Sequence, residues 1–144
     1  LKSPKESSLS WHEIVTLASL IEKETGLDSE RKIISSVFHN RLRKNMRLQT
    51  DPTVIYAIEK FDGNIRKRDL KIDSPYNTYR YKGLPPGPIA NPGLKSIVAA
   101  MSPIESDHLY FVSRQDGSHH FSSTLNEHNQ AVQKYQLRKV RSRR

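Results

Sequence analysis

The stretch SPYNTYRYKGLPPGPIANPG, from Ser74 to Gly93, constrains the fold more than any other. It holds five of the chain's eight prolines and three of its six glycines. Proline fixes φ and offers no backbone N–H, so regular structure is confined to the segments on either side. Ordinary connections are shorter than this. A long, stiff, aromatic loop is more often a binding surface than a spacer. Tyr76, Tyr79 and Tyr81 punctuate it, and their faces suit the apolar side of a sugar ring or a nucleobase. Asn77 and Thr78 between them offer hydrogen bonds in both senses. The alternative is that the tyrosines pack the loop down on the domain.

Upstream, the sequence reads as helical. Ser10-Trp11-His12-Glu13 fits a capping box, with Ser10 as N-cap and Glu13 reaching back. A helix follows to about Thr25, closed by Gly26 at C′. Trp11, Ile14, Val15, Leu17, Ala18, Leu20 and Ile21 leave only His12, Thr16, Ser19 and Lys23 as a polar stripe, so the helix is wrapped on most sides. A second helix starts near Ser29, with Ile33, Ile34, Val37, Phe38 and Leu42 as its stripe and Asn45 to end it. Thr50-Asp51-Pro52 reads as a helix start, with Asp51 as N-cap and Pro52 at N1. From Phe61 to Asp73 the chain is polar and reads as loop.

Downstream of the proline-rich loop, Asn91-Pro92 caps a helix through Met101. Leu109–Val112 and His119–Ser122 read as a hairpin joined around Asp116-Gly117. Thr124 to Glu127 is a second capping box, opening a last helix to about Val140. The fold class is α+β: several short helices around a small antiparallel β element. Residues 9–138 form one domain. Residues 1–8 read as a linker, and 139–144 (KVRSRR) as a basic tail. The chain opens on Leu and reads as a piece of a longer protein.

Composition narrows the function classes. The chain has 144 residues, 35% hydrophobic and 27% charged, with a net charge of +9 and no cysteine. Disulfides and thiolate metal sites are excluded. No apolar run approaches the roughly 18 residues of a membrane helix. A charge of +9 favours a polyanionic partner: nucleic acid, an anionic membrane surface or an acidic wall polymer. No nucleic-acid fold motif accompanies it.

Two glutamates close the first helix in LASLIEKETG (Leu17–Gly26). Glu22 falls in line with Trp11, Val15 and Ala18; Glu24 falls in line with Glu13, Leu17 and Leu20. A carboxyl beside apolar surface is desolvated, which raises its pKa and suits it to general-acid work. The periodicity slightly favours Glu22, whose line has no second charge. The alternative is a solvated helix end. The six histidines (His12, His39, His108, His119, His120, His128) show no HExxH spacing, and no metal site is expected. His119 and His120, adjacent in a strand, point to opposite faces. There is no GxSxG, phosphate loop or dinucleotide fingerprint. Gln49-Thr50-Asp51 precedes a helix N-terminus, where backbone N–H groups attract anionic or carbonyl oxygens.

LASLIEKETGLDSERKIISSVFHNRL, then MRLQTDPTVIYAI, then SPYNTYRYKGLPPGPIANPG, then LYFVSRQDGSHHFS with TLNEHNQAV resemble, in this order, the YceG-like family of endolytic murein transglycosylases (MltG type). The resemblance covers about Leu17 to Tyr135. It implies an enzyme that cuts the β-1,4 bond between N-acetylmuramic acid and N-acetylglucosamine within peptidoglycan strands. The cut is non-hydrolytic, leaves 1,6-anhydromuramoyl ends and limits nascent strand length. The resemblance places the catalytic glutamate of the IEKET segment on Glu22, as acid and then base, with Glu24 as the alternative. Tyr76, Asn77, Thr78, Tyr79 and Pro86 are expected to wall the groove, and Gln49, Thr50, Asp51 and His119 to reach the glycan, with Asp51 committed to capping. No cofactor is implied. The implied partners are glycan strands and wall-synthesis enzymes, not nucleic acid. A membrane helix and a LysM-like module outside this chain would hold the domain at the extracytoplasmic face of the bacterial cytoplasmic membrane. Two alternatives are a glycan-binding module without chemistry and a two-carboxylate muramidase using Glu22 and Asp51.

Overall fold

The computed structural model describes residues 9–137. Five α-helices and one hairpin follow in the order α1 (Trp11–Glu24), α2 (Asp28–Arg43), α3 (Asp51–Ala57), α4 (Leu94–Met101), β1 (Tyr110–Ser113), β2 (His119–Ser122) and α5 (Leu125–Val132). This is the α+β architecture expected. The linker and the basic tail lie outside the described residues. Among the described residues no helix is long and apolar enough to cross a membrane.

The core is built on α1. Ile14, Leu17, Ala18, Leu20 and Ile21 are fully buried, together with Ile34 and Phe38 of α2 and Ala99 and Ala100 of α4. The capping box forms as read: Ser10 Oγ accepts from Glu13 N–H at 3.1 Å, and Glu13 Oε1 accepts from Ser10 N–H at 3.0 Å. Such a cap stabilises a helix by about 1 kcal/mol. At the other end Gly26 does not supply a left-handed turn. Thr25 is the extended C-cap instead, and its N–H closes onto Ile21 O.

The polar stripe of α1 is where the proline-rich loop lies down. Thr16 and Ser19 are fully buried. Ser19 Oγ accepts the Ile89 N–H at 3.0 Å, and His12 Nε2 donates to Pro86 O at 2.6 Å. Prolines at 85, 86 and 88 leave this stretch few donors, so two side chains of α1 suffice to hold it. Gly87 sits where an added Cβ would come within 3.3 Å of the Tyr76 hydroxyl.

Two helix starts and one short turn differ from the sequence reading. The N-cap of α3 is Thr50, not Asp51, and Asp51 and Pro52 occupy the first helical turn. The N-cap of α4 is Gly93, without a side-chain cap of its own; Asn91-Pro92 lies just outside. The 61–73 segment contains a short 3₁₀ turn, Lys67–Lys71, with Asp69 accepting the Arg66 N–H at 2.8 Å. At the C-terminal side, α5 passes into a π-helical turn over Gln133–Leu137. Thr124 caps α5 by accepting the Glu127 N–H, but the Glu127 carboxylate accepts the Thr124 hydroxyl and not its N–H, so the second capping box is only half formed.

The hairpin pairs Tyr110 with Ser122, Phe111 with Phe121, Val112 with His120 and Ser113 with His119, antiparallel. Strand β1 therefore runs one residue later than its expected start. Gly117 takes the left-handed φ of +91° that the turn needs. Phe111 meets Phe38 edge-on at 5.8 Å, fastening the hairpin to α2. As strand alternation requires, His119 faces Glu30 of α2 while His120 lies near Tyr135.

Candidate active site

Two residues along an α-helix are about 200° apart around its axis, so Glu22 and Glu24 cannot share a surroundings. Glu22 faces α4. Its Oε1 accepts the Gly93 N–H and the Ser96 hydroxyl, each at 2.9 Å. It is the tertiary cap that α4 lacks locally, sited where a helix N-terminus favours negative charge. These two donors, helped by Arg31 and Lys23, hold its carboxyl below the ordinary range. The desolvated, proton-retaining carboxyl expected at Glu22 is therefore not found there. Hydrogen bonding to the charged form outweighs burial at that position.

Glu24 faces the other way, into a cleft of about 620 Å³. The end of α1 and the 48–51 segment form one wall. Val37 and Arg41 of α2, β1 and His119 form the other, with Leu125 and His128 of α5 at the margin. Protein surrounds Glu24 except for a partial opening to the cleft. Burial pushes its carboxyl up, and nearby Asp51 pushes the same way; the Thr50 hydroxyl and His119 oppose both. Thr50 Oγ1 donates to Glu24 Oε1 at 2.6 Å. The site thus holds one carboxyl biased toward its protonated form, with a donor ready for its ionised form.

The 48–51 segment is shaped to present these groups. Gln49 has φ +50°, a conformation uncommon outside glycine. It is held by Gln49 N–H to Thr78 O at 3.3 Å and Thr50 N–H to Thr78 Oγ1 at 3.0 Å. Asp51 is not spent on capping. It accepts the Tyr79 hydroxyl at 2.5 Å, and burial beside this carboxylate raises the Tyr79 phenol well above its ordinary pKa.

Of the residues singled out from sequence, Gln49, Thr50, Asp51, Tyr79 and His119 line the cleft with Glu24. The others build its supports. Asn77 is fully buried, donating to Leu70 O and Ile72 O and accepting the Tyr79 N–H. Thr78 is buried between Thr50 and Thr53. Tyr76 packs on Tyr56 at 4.8 Å, and Pro86 gives its carbonyl to His12.

Several groups in or beside the cleft carried no sequence signal. Arg41 is buried, donates to the carbonyls of Leu109 (2.6 Å) and Arg47 (2.7 Å), and lies 5.0 Å from the Tyr110 ring. His128 stacks on Tyr110 at 5.0 Å. Glu30, in the first turn of α2, clamps His119. Among the described residues no group of three or more His, Asp or Glu side chains could hold a metal ion.

A family model described as the YceG-like family matches residues 2–134. The chain belongs to the YceG-like family. It is similar to the endolytic murein transglycosylase of Bacillus subtilis (strain 168), 51% identical over 131 residues, covering 91% of this chain and 36% of the relative. It is also similar to that of Streptococcus pneumoniae serotype 2 (strain D39), 38% identical over 134 residues, covering 89% of this chain and 24% of the relative. A crystal structure of a YceG-like protein from Listeria monocytogenes is 50% identical, with a TM-score of 0.80 over 88% of this chain and 40% of that one. The YceG-like chain therefore spans between a quarter and two fifths of these longer proteins.

Proposed function

We propose that this YceG-like chain is the catalytic domain of an endolytic murein transglycosylase and that Glu24 is its general acid. The observation that carries the assignment is the placement of Glu24: a carboxyl desolvated at the cleft wall, biased toward its protonated form, beside the Thr50 hydroxyl. The relatives named as endolytic murein transglycosylases support the choice of glycan.

The reaction needs a proton donor and then an acceptor at one place. Protonated Glu24 delivers its proton to the glycosidic oxygen as the bond from that oxygen to the anomeric carbon breaks. The muramoyl carbon-6 oxygen then closes on the anomeric carbon, and its proton passes to the Glu24 carboxylate. One bond breaks, one forms, no water is consumed, and Glu24 is protonated again. The Thr50 hydroxyl, donating to Glu24 at 2.6 Å, favours the intervening carboxylate. Desolvation favours the acid, so the same carboxyl serves both steps. Asp51, free of capping, lies in the same cleft and could support the positive charge that develops on the sugar. The product is a 1,6-anhydromuramoyl end, and such cuts within a strand limit its length.

The same reading places the parent protein outside the cytoplasmic membrane, anchored by a helix beyond this chain and working beside wall-synthesis enzymes. The net charge of +9 suits a carboxylate-rich wall polymer.

The test is mass spectrometry of glycan ends after long strands meet the 144-residue chain, alone and within its full-length protein. New ends lighter than a reducing end by one water support the proposal. Reducing ends would instead identify a muramidase, with Glu24 and Asp51 as its carboxylate pair. Bound but uncut strands would identify a binding module.

A further inference from the structure

His119 lines the cleft, while its partner Glu30 is not among the lining residues, and neither moves a proton in the steps above. One carboxylate oxygen of Glu30 accepts the backbone N–H of His119 at 2.9 Å, and the other lies 2.8 Å from His119 Nδ1. The two side chains are only 11% and 10% exposed. The ring meets Phe111 edge-on at 5.4 Å and Phe121 at 6.3 Å, so aromatic neighbours limit its rotation. A carboxylate only accepts hydrogen bonds, so Nδ1 carries a proton. That leaves Nε2, which has no hydrogen-bond partner among the described residues, on a ring that lines the cleft with Glu24.

We propose that Glu30 is a positioning residue that fixes His119 as the Nδ1–H tautomer, so that bare Nε2 faces the cleft as an acceptor for a sugar hydroxyl or acetamido N–H. The inference rests on the glycan reading of the cleft and adds a binding group to it. Several polar groups around the cleft can donate, among them the Thr50 and Tyr79 hydroxyls, the Gln49 amide and the Arg41 guanidinium, while Asp51 is a charged acceptor already engaged by Tyr79. A neutral acceptor complements them for a ligand whose hydroxyls both donate and accept, and it adds no further negative charge beside Glu24 and Asp51.

The geometry makes Glu30→Gln a sharp test. The His119 backbone N–H can only donate, so the amide oxygen of the new side chain must stay on it. The amide NH2 is then forced opposite Nδ1, where it donates, and the ring proton must move to Nε2. The shape is unchanged and the polarity of the cleft nitrogen is reversed.

The measurement is long-range proton–nitrogen correlation NMR of the histidine rings in the 144-residue chain, at about pH 8, above the ordinary imidazole pKa of about 6.5. A soluble muramoyl-glucosaminyl oligosaccharide is then added. The expected result is His119 protonated on Nδ1 in the wild type, with Nε2 shifting on glycan addition. In Glu30→Gln the proton moves to Nε2, and the KM for glycan cleavage rises about tenfold, the equivalent of one hydrogen bond. A wild-type proton on Nε2 overturns the inference, and this reading needs no variant to fold. An unchanged tautomer in folded Glu30→Gln overturns it too. If the glycan moves other cleft resonances but not Nε2, the acceptor role is overturned. A glycan that moves no cleft resonance refutes the glycan reading itself.

Discussion

Glu22 and Glu24 carry opposite perturbations two residues apart, and each leaves a distinct mark on stability. Glu24 has a native pKa raised above 4.5. Between 4.5 and that raised value the native state binds more protons than the unfolded chain, so stability falls as pH rises through the window and stays lower above it. Glu24→Gln is therefore expected to raise the melting temperature at neutral pH, with the gain shrinking as pH falls below 4.5. Calorimetry at the two pH values checks this. Glu22 has a native pKa lowered below 4.5. Its contribution is present above the ordinary value and is lost as pH falls through the native one. Glu22→Gln weakens the α4 cap and should cost about 1 kcal/mol at neutral pH, read as a lower denaturation midpoint with an unchanged slope. Activity carries the same signature: cleavage that needs protonated Glu24 should decline as pH rises through its raised pKa.

At the scale of elements, the contact between α1 and the proline-rich loop positions the supports of the cleft. Ser19→Ala removes the acceptor of the buried Ile89 N–H. An unsatisfied buried donor costs about 1–3 kcal/mol, and hydrogen exchange should show earlier opening of the 85–89 stretch than of α2. Where sequence rules are local, the elements were legible. The Ser10–Glu13 box, the Thr124 cap, the Gly117 turn and the apolar stripe of α1 depend on neighbours within four residues. What sequence could not show was capping across the fold. Glu22 caps a helix that begins at Leu94, and nothing near Asn91-Pro92 signals that the cap comes from elsewhere. The same blindness affected Asp51, whose apparent N-cap position hid its bond to Tyr79. It also affected the α1 polar stripe, which looks solvated but holds the loop. For the candidate site, Gln49, Thr50, Tyr79 and His119 were found as cleft residues. Arg41, Glu30 and His128 were not, because long-range packing alone brings them there.

At the scale of the whole molecule, the cleft lies between a helical wall and a hairpin wall. Phe38 on Phe111 holds the hairpin against α2 within one of these walls. Phe111→Ala should loosen the hairpin and lower the melting temperature, weakening glycan binding because His119 on the hairpin loses its place in the cleft. The net charge of +9 acts at longer range and is screened by salt. Rising ionic strength is therefore expected to raise the KM for anionic strands while leaving kcat in place. In the proposed reaction Glu24, and not Glu22, moves the proton while the sugar closes its own ring. Wild type, Glu22→Gln and Glu24→Gln compared on the same glycan strands, with the new ends weighed, separate the two carboxyls. Wild type and folded Glu22→Gln are expected to leave ends one water lighter than reducing ends, and Glu24→Gln none. Such ends from Glu24→Gln, with none from folded Glu22→Gln, would contradict this role of Glu24.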